Sequence, residues 1–175
     1  MIQGERIVLR AVEREDLPRY VQWLNDPAVV EYFGPFLPLS LAQEEAWYEK
    51  MLADPAVRNF AIEFEGQPIG GAGFQNIDGR NASAEVSLFI GRPDLWGQGL
   101  GSDILATLVR FGFEQMNLHR IYLRILAGDE RAIHLCEKVG FRQEGRWRQA
   151  AFRHGSYQDL LWMSILRPEW TGRPK

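Results

Sequence analysis

Ile90-Gly91-Arg92-Pro93-Asp94-Leu95-Trp96-Gly97-Gln98-Gly99-Leu100-Gly101-Ser102 joins an alternating, strand-like run to an amphipathic, helical one. Gly97, Gly99 and Gly101 stand at alternate positions, so the backbone has positive-φ freedom and lacks the Cβ atoms that would hold a ligand away. A helix opening at Gly101 or Ser102 adds unpaired N–H donors and the positive end of its dipole. The stretch reads as a cradle for a phosphorylated cofactor. A P-loop would continue from its last glycine into Lys and then Ser or Thr, whereas Ser102-Asp103 follows Gly101, which disfavours triphosphate hydrolysis. A dinucleotide fingerprint counted from Gly97 and Gly99 needs a third glycine where Ser102 stands, which disfavours a Rossmann site.

The chain has 175 residues, 46% of them hydrophobic, and no Ser/Pro/Gly-rich linker, so residues 1–175 are expected to form a single domain with a real core. A formal charge of −3 with scattered Lys and Arg offers no clustered cationic surface to a nucleic acid. Cys136 is the only cysteine, which rules out an internal disulfide, and no stretch has the length and apolarity of a signal h-region or a membrane span. A soluble, cytoplasmic protein is the expectation. His119, His134 and His154 lie apart, without cysteine partners or zinc-ligand spacing; they read as structural or surface residues, and no metal is expected.

Ile7-Val8-Leu9 reads as a first strand, and Glu13 to Leu24 as a helix with Leu17, Val21 and Leu24 on one stripe, stopped by Asn25-Asp26-Pro27. A short second helix is expected near Ala28 to Tyr32, then an irregular apolar loop over Gly34-Pro35-Phe36-Leu37-Pro38. Ser40 and Gln43 have capping-box spacing, which predicts a third helix running to about Ala53. Val57 to Phe64 and Ile69 to Ile77 read as hairpin strands around Glu65-Gly66-Gln67, and Ala84 to Ile90 as the fourth strand. Leu105, Leu108, Val109, Gly112 and Phe113 recur at helical spacing behind the phosphate loop. Ile121 to Leu126 reads as a strand, Arg131 to Lys138 as a helix ended by Gly140, and the remainder as a hairpin turning at His154-Gly155-Ser156. This order predicts a mixed α/β (α+β) fold.

Trp96-Gly97-Gln98-Gly99-Leu100-Gly101 resembles the acyl-CoA loop of the GNAT acetyltransferases. Asp129-Glu130-Arg131-Ala132-Ile133-His134-Leu135-Cys136-Glu137-Lys138-Val139-Gly140-Phe141 resembles the segment after the fifth strand of that superfamily, in the same order and at the same separation. Leu9-Arg10 with Arg14-Glu15-Asp16-Leu17, Trp23-Leu24-Asn25-Asp26-Pro27, and Glu144-Gly145 through Gly155-Ser156-Tyr157-Gln158-Asp159 resemble the branch containing ribosomal-protein N-terminal and spermidine acetyltransferases. The resemblance spans nearly the whole chain. It implies a GNAT-like fold, with a mostly antiparallel central sheet of about seven strands, splayed between the fourth and fifth and flanked by helices. It also implies acetyl-CoA as cofactor, leaving as CoA, and an N-acetyltransferase that moves the acetyl group directly to a primary amine in a ternary complex.

On that resemblance Leu88, Phe89 and Ile90 lie beside the pantetheine, the amides of Phe89 and Ile90 are oxyanion donors, Gly97, Gln98, Gly99, Leu100, Gly101 and Ser102 hold the pyrophosphate, and Trp96 belongs to the cofactor site at the loop's start. Asp129, Ala132 and Cys136 line the cofactor from the following helix. Strand alternation puts Glu85, Ser87 and Phe89 on one face and Val86, Leu88 and Ile90 on the other. Glu85 is the candidate general base, since a carboxylate partly removed from water gains proton affinity; it also reads as a salt-bridged face residue, and Ser87 is the alternative base. Cys136 stands where the family usually has a tyrosine that is proposed to protonate the cofactor sulfur. A thiol with a pKa of about 8.5 can donate a proton, yet Ala132, Leu135, Cys136 and Val139 also have the spacing of a core stripe. Asp129 replaces the usual Asn and still suits an N-cap, while Trp96 replaces the usual Arg or Gln and reads as a stacking or packing residue.

The acceptor is left open between a small-molecule amine and a peptide or protein N-terminus, with selection expected in the Phe33 to Pro38 loop and the last hairpin. A polyamine ranks second, because the acids of the spermidine enzymes are replaced by Phe33-Gly34-Pro35-Phe36, leaving Glu31, Glu44 and Glu45 nearby. A CoA-binding sensor without catalysis is the alternative from another class, motivated by Cys136, Asp129 and Trp96. The apolar final hairpin is compatible with a homodimer.

Overall fold

Alternation of apolar and polar side chains builds eight strands, β1 (Ile2–Gln3), β2 (Ile7–Ala11), β3 (Arg58–Phe64), β4 (Gln67–Asp78), β5 (Ser83–Ile90), β6 (Arg120–Leu126), β7 (Arg142–Arg153) and β8 (Ser156–Leu166). They form one sheet in the order β1-β2-β3-β4-β5-β6-β8-β7. This computed structural model describes residues 1–172, so the end of the expected 1–175 domain lies outside the described residues. The strand beyond the expected seven is β1, whose two residues pair Ile2 with Leu9 and Gln3 with Val8 and are too short to show alternation. Every neighbouring pair is antiparallel except β5 and β6.

Four helices cover the sheet: α1 (Leu17–Leu24), α2 (Leu41–Ala53), α3 (Leu100–Glu114) and α4 (Glu130–Val139). Ser40 and Gln43 close the expected capping box on α2, the Gln43 N–H donating to Ser40 Oγ and the Ser40 N–H to Gln43 Oε1. The helix expected near Ala28 to Tyr32 does not form; turns and bends run there instead. Six residues between Pro27 and Gly34-Pro35 are too few to offset the nucleation cost of a helix. Asn25 instead clasps the segment, its Nδ2 donating to the Leu39 carbonyl and its Oδ1 accepting from the Leu39 N–H, each at 2.8 Å.

The two faces of the sheet carry separate apolar clusters, as the period of two requires: adjacent Ala61 and Ile62 go to opposite sides. On one face Ile62, Phe74, Ala84, Val86 and Ile121 pack against Ile104, Leu105 and Leu108 of α3 and Cys136 and Val139 of α4. On the other, Ala61 and Val12 meet Leu17 and Tyr20 of α1, Tyr48 of α2 and the ring of Phe89. Full burial of each large aliphatic side chain contributes about 1.5–3 kcal/mol.

The parallel contact of β5 and β6 covers three residue pairs, Ser83 with Arg120, Ala84 with Ile121 and Glu85 with Tyr122. Beyond it β5 stays with β4 as far as Ile90 opposite Gly70, and β6 stays with β8 as far as Leu126 opposite Leu160. A notch opens between them, at the place where the sequence predicts a splay. The β7–β8 hairpin reaches back over the sheet: Arg153 Nη2 donates to the Gly34 carbonyl at 2.8 Å, and His154 Nε2 lies 3.2 Å from the Glu31 carbonyl. Trp147, Phe152 and Tyr157 remain exposed on it. Among the described residues no helix is long and apolar enough to cross a membrane.

Candidate active site

Gly97 and Gly99 have φ of +75° and +83°, values that disfavour side chains, and a Cβ on either would meet nothing within 4 Å, so the loop presents bare backbone to open space. Gly99 is the N-cap of α3 and has no side chain to cap with, which leaves the amides of Leu100, Gly101 and Ser102 without intrahelical acceptors. The one acid of this first turn is turned away from them: Asp103 accepts the N–H groups of Glu5, Arg6 and Ile7 at 2.9, 2.7 and 3.2 Å. Arg6 Nη1 fixes the loop from behind by donating to the Gln98 carbonyl at 2.8 Å. Trp96 fixes it from below, Nε1 donating to the Ile90 carbonyl at 3.0 Å and the ring lying 4.2 Å from the Arg131 guanidinium carbon. The expected stacking and packing of Trp96 is what the structure shows.

A cavity of about 390 Å³ lies over this loop. It brings together the expected strand residues Leu88, Phe89 and Ile90 with Trp96, Gly97, Gly99, Leu100, Gly101 and Ser102, and with Asp129 and Ala132 of α4. Gln98 does not line it; its side chain turns to the far side, Nε2 donating to the Asp94 carbonyl at 3.0 Å. Three nitrogen-bearing side chains that line the cavity escaped the sequence reading: the cations Arg131 and Lys138, and His134 between them. Their signal was the spacing i, i+3, i+7, which puts all three on one face of α4. Close approach of the helices brings that face to the loop, since a Cβ on Gly101 would stand 2.4 Å from Leu135 Cδ1. Free helix-start amides, bare glycine backbone, two cations and an imidazole together suit a diphosphate.

Main-chain direction along β5 decides which groups face the notch. Gly91 N–H donates to the Ile69 carbonyl of β4, while the Ala82 carbonyl accepts from His119 and Arg120 at the β6 side. With a period of two, odd residues of β5 therefore bond to β4 and even ones point to β6. Leu88 and Ile90 present their amides to the notch, and the Phe89 amide belongs to the β4 ladder. Of the pair Phe89 and Ile90 expected as oxyanion donors, only Ile90 turns its amide to the notch, where Leu88 stands beside it in place of Phe89. The ring of Phe89 faces the other side of the sheet, as its alternation predicts, 5.5 Å from Tyr20 and 5.7 Å from Phe33 between ring centroids.

Glu85 is 4% exposed, and both its oxygens are in use. Arg124 donates through Nε to Oε1 at 2.7 Å and through Nη2 to Oε2 at 3.2 Å, and Asn76 Nδ2 donates to Oε2 at 2.8 Å. A register shift in β4 puts Asn76 at φ +52° beside it. The guanidinium fork and the Asn76 amide hold this carboxylate in place as an acceptor of hydrogen bonds. Ser87 on the same strand is exposed.

Cys136 is 3% exposed and packs between α4 and the sheet, lining the inner end of the notch together with Glu85 and Arg124 but not the cavity over the loop. Burial, reinforced by Asp129 and Glu137, pushes its thiol up to about 12. From such a group, transfer to an ordinary thiolate near pKa 8.5 is uphill by about 5 kcal/mol. The core-stripe reading of Cys136 is the one that the geometry supports. Asp129 caps α4, accepting from the Ala132 N–H at 3.0 Å, as expected for an acid that replaces Asn.

On the far face from α3 a second cavity of about 350 Å³ runs between α1, α2, the 33–39 segment and β3 to β5. The rings of Tyr20, Phe33, Trp47 and Phe89 wall it, and it shares Phe33, Leu88 and Phe89 with the cavity over the loop. Glu44 of α2 opens into it, 5% exposed, and burial with no opposing partner pushes its carboxyl above the ordinary range. Its place beside Trp47, Tyr48 and Met51 is i, i+3, i+4, i+7, so an acid stands on the buried stripe of α2 where the pattern calls for an apolar residue. That mismatch was readable in the sequence, where Glu44 was noted only as a nearby carboxylate.

Residues 6–142 match the acetyltransferase (GNAT) domain family. The chain is 30% identical to the spermidine N(1)-acetyltransferase of Escherichia coli K12, over all of this chain and 94% of that protein. It is 31% identical to the uncharacterized N-acetyltransferase p20 of Bacillus licheniformis, over 96% of this chain and 97% of the relative. Among solved structures, the spermidine N-acetyltransferase of Vibrio cholerae in complex with CoA and spermine superposes with a TM-score of 0.87 at 31% identity, covering 95% of this chain and 98% of that one.

Replacing Arg131 with Ala is expected to weaken coenzyme A binding about tenfold and to flatten its salt dependence, as loss of one charge-assisted phosphate contact requires. Calorimetric titration at two ionic strengths checks this; an unchanged dissociation constant contradicts the placement of the diphosphate against α4.

Proposed function

We propose a small polyamine-type primary amine as the acceptor of this chain, which belongs to the GNAT acetyltransferase family and transfers the acetyl group of acetyl-CoA to an amine. The observation that carries the reading is the aromatic-walled cavity that meets the cofactor side at Leu88 and Phe89 and holds one buried carboxylate. Its volume of about 350 Å³ suits a small molecule. Relatives that act on spermidine by name, matched from end to end, support the same class. They move the polyamine ahead of the protein N-terminus, reversing the order read from Phe33-Gly34-Pro35-Phe36.

In this reading the bound coenzyme supplies the activated acetyl thioester. The loop amides and Arg131, His134 and Lys138 fix its diphosphate, and the Leu88 and Ile90 amides face the carbonyl and favour the developing oxyanion. The acceptor enters from the opposite face, so that the main resource of the site is positioning of two reactants across one strand. Glu85 orients Arg124 at the base of the notch, and Cys136 fills space. The exposed aromatic side chains of β7 and β8 support a homodimer as part of the same proposal.

A thiol-release assay with spermidine, aminoglycosides and N-terminal peptides as acceptors tests the reading. Turnover of spermidine is expected; turnover of peptides alone overturns the acceptor class, and CoA binding without turnover on any amine favours the sensor. Two substitutions test the side-chain roles. Cys136→Ala is expected to keep kcat within about threefold, and Glu85→Gln to keep the acidic limb of the pH–rate profile, whereas loss of a true general acid or base costs about 10²–10⁴-fold.

A further inference from the structure

Glu44 is an expensive residue where it stands. Trp47 and Tyr48 in its helical register and Tyr20, Phe33 and Phe89 across the cavity are aromatic, and among the described residues neither a cation nor a hydrogen-bond donor meets its carboxylate. A buried, partnerless carboxylate lowers stability unless something else compensates. The one compensation that the fold offers is its place in the first turn of α2, near the positive end of the helix dipole. The side chain stabilises no cap, no turn and no ion pair, in contrast to Asp16, which is just as buried but is gripped by both Nη atoms of Arg10 at 2.7 and 2.8 Å.

Glu44 borders only the acceptor cavity; it lines neither the space over the phosphate loop nor the inner notch. The reacting nitrogen has to reach the edge formed by Leu88 and Ile90, and it has to be neutral to attack. A positive charge drawn to Glu44 therefore belongs to a different part of the acceptor from the nitrogen that reacts. The walls suit such a charge. Tyr20 and Trp47 have ring centroids 6.4 Å apart, and Phe89 stands 5.5 Å from Tyr20, so aromatic faces surround the carboxylate end and can receive an alkylammonium or its methylene stem.

We propose that Glu44 is the specificity residue of the acceptor cavity, receiving the second, non-reacting ammonium of a diamine or polyamine while the first amine is presented at the Leu88 and Ile90 edge. The proposal rests on the small-amine reading above and deepens it. One buried carboxylate recognises one distal cation. The preferred acceptors are then amines with two positive centres joined by a short methylene chain, and a monoamine of the same length loses this anchor. The aromatic walls accept either compound, and only the charge distinguishes them.

The test compares wild type and Glu44→Gln with spermidine, 1,4-diaminobutane and butylamine as acceptors. For both polyamines the substitution is expected to raise KM about tenfold or more with kcat nearly unchanged, and for butylamine to change neither. An equal change for diamine and monoamine, a fall in kcat at constant KM, or no change at all overturns the proposal. Glu44→Asp, which keeps the charge on a shorter stem, is expected to recover part of the diamine preference. Thermal melting separates recognition from a structural role: E44Q is expected to melt no lower than wild type, and a marked drop overturns the assignment. Calorimetric titration of spermidine into the CoA-loaded protein reads the same contact without turnover. Should no amine be acetylated, spermidine binding that is lost in E44Q still upholds the Glu44 site while the acceptor class fails; binding that is equal in both, or absent from wild type, removes the site.

Discussion

β5 and β6 run parallel for three residue pairs and then part, and this early end to pairing is the constraint on which the rest of the molecule depends. Each strand is committed to its other neighbour. β5 is held in register by β4 from Glu85 opposite Gln75 to Ile90 opposite Gly70, and β6 is paired with β8 over all seven of its residues. The sheet is thus two half-sheets sewn together at one end. Unpaired strand edges in a protein interior leave N–H and C=O groups that cost free energy unless something satisfies them. Trp96 takes up one of these groups, the Ile90 carbonyl, and the even-numbered amides that remain are available to a ligand.

The position of the phosphate loop follows from that parting. The chain leaves β5 at Gly91, where Pro93 lacks a donor to continue a ladder, and turns through the glycines into α3, whose start points its free amides back at the opening. α4 begins where β6 ends and lies against α3, so its cationic face comes to the same place. Both helices of the proposed diphosphate site are therefore set by the ends of the two diverging strands. The opposite face of β5, carrying Ser87 and Phe89, borders the aromatic-walled cavity. A single strand separates the two cavities because its side chains alternate while its main chain faces the gap.

Much of this was legible in the residues. The glycine spacing of the loop, the Ser40 and Gln43 cap, the amphipathic run of α3 and the glycine that ends α4 are local signals, and local signals survive folding. What was not legible depended on partners. Whether Phe89 or Leu88 turns its amide to the notch is a matter of which edge meets β4, and an isolated strand does not say. Ala28 to Tyr32 has residues that tolerate a helix, yet its flanking prolines and the Asn25 clasp on Leu39 decide otherwise. Glu85 read equally as a base or as a salt-bridged face residue, and its partner Arg124, 39 residues away in sequence on the neighbouring strand, was not legible. Glu44 carried its own signal, an acid on an apolar stripe, but its meaning required the cavity.

Residue-resolved amide hydrogen exchange with and without coenzyme A tests the central claim most directly. The amides of Leu88 and Ile90 are expected to exchange readily in the free protein and at least about tenfold more slowly with the coenzyme bound, while Phe89 in the β4 ladder stays protected in both states. Leu88 and Ile90 already protected without coenzyme, or unaffected by it, would contradict a strand edge held open for the acyl donor.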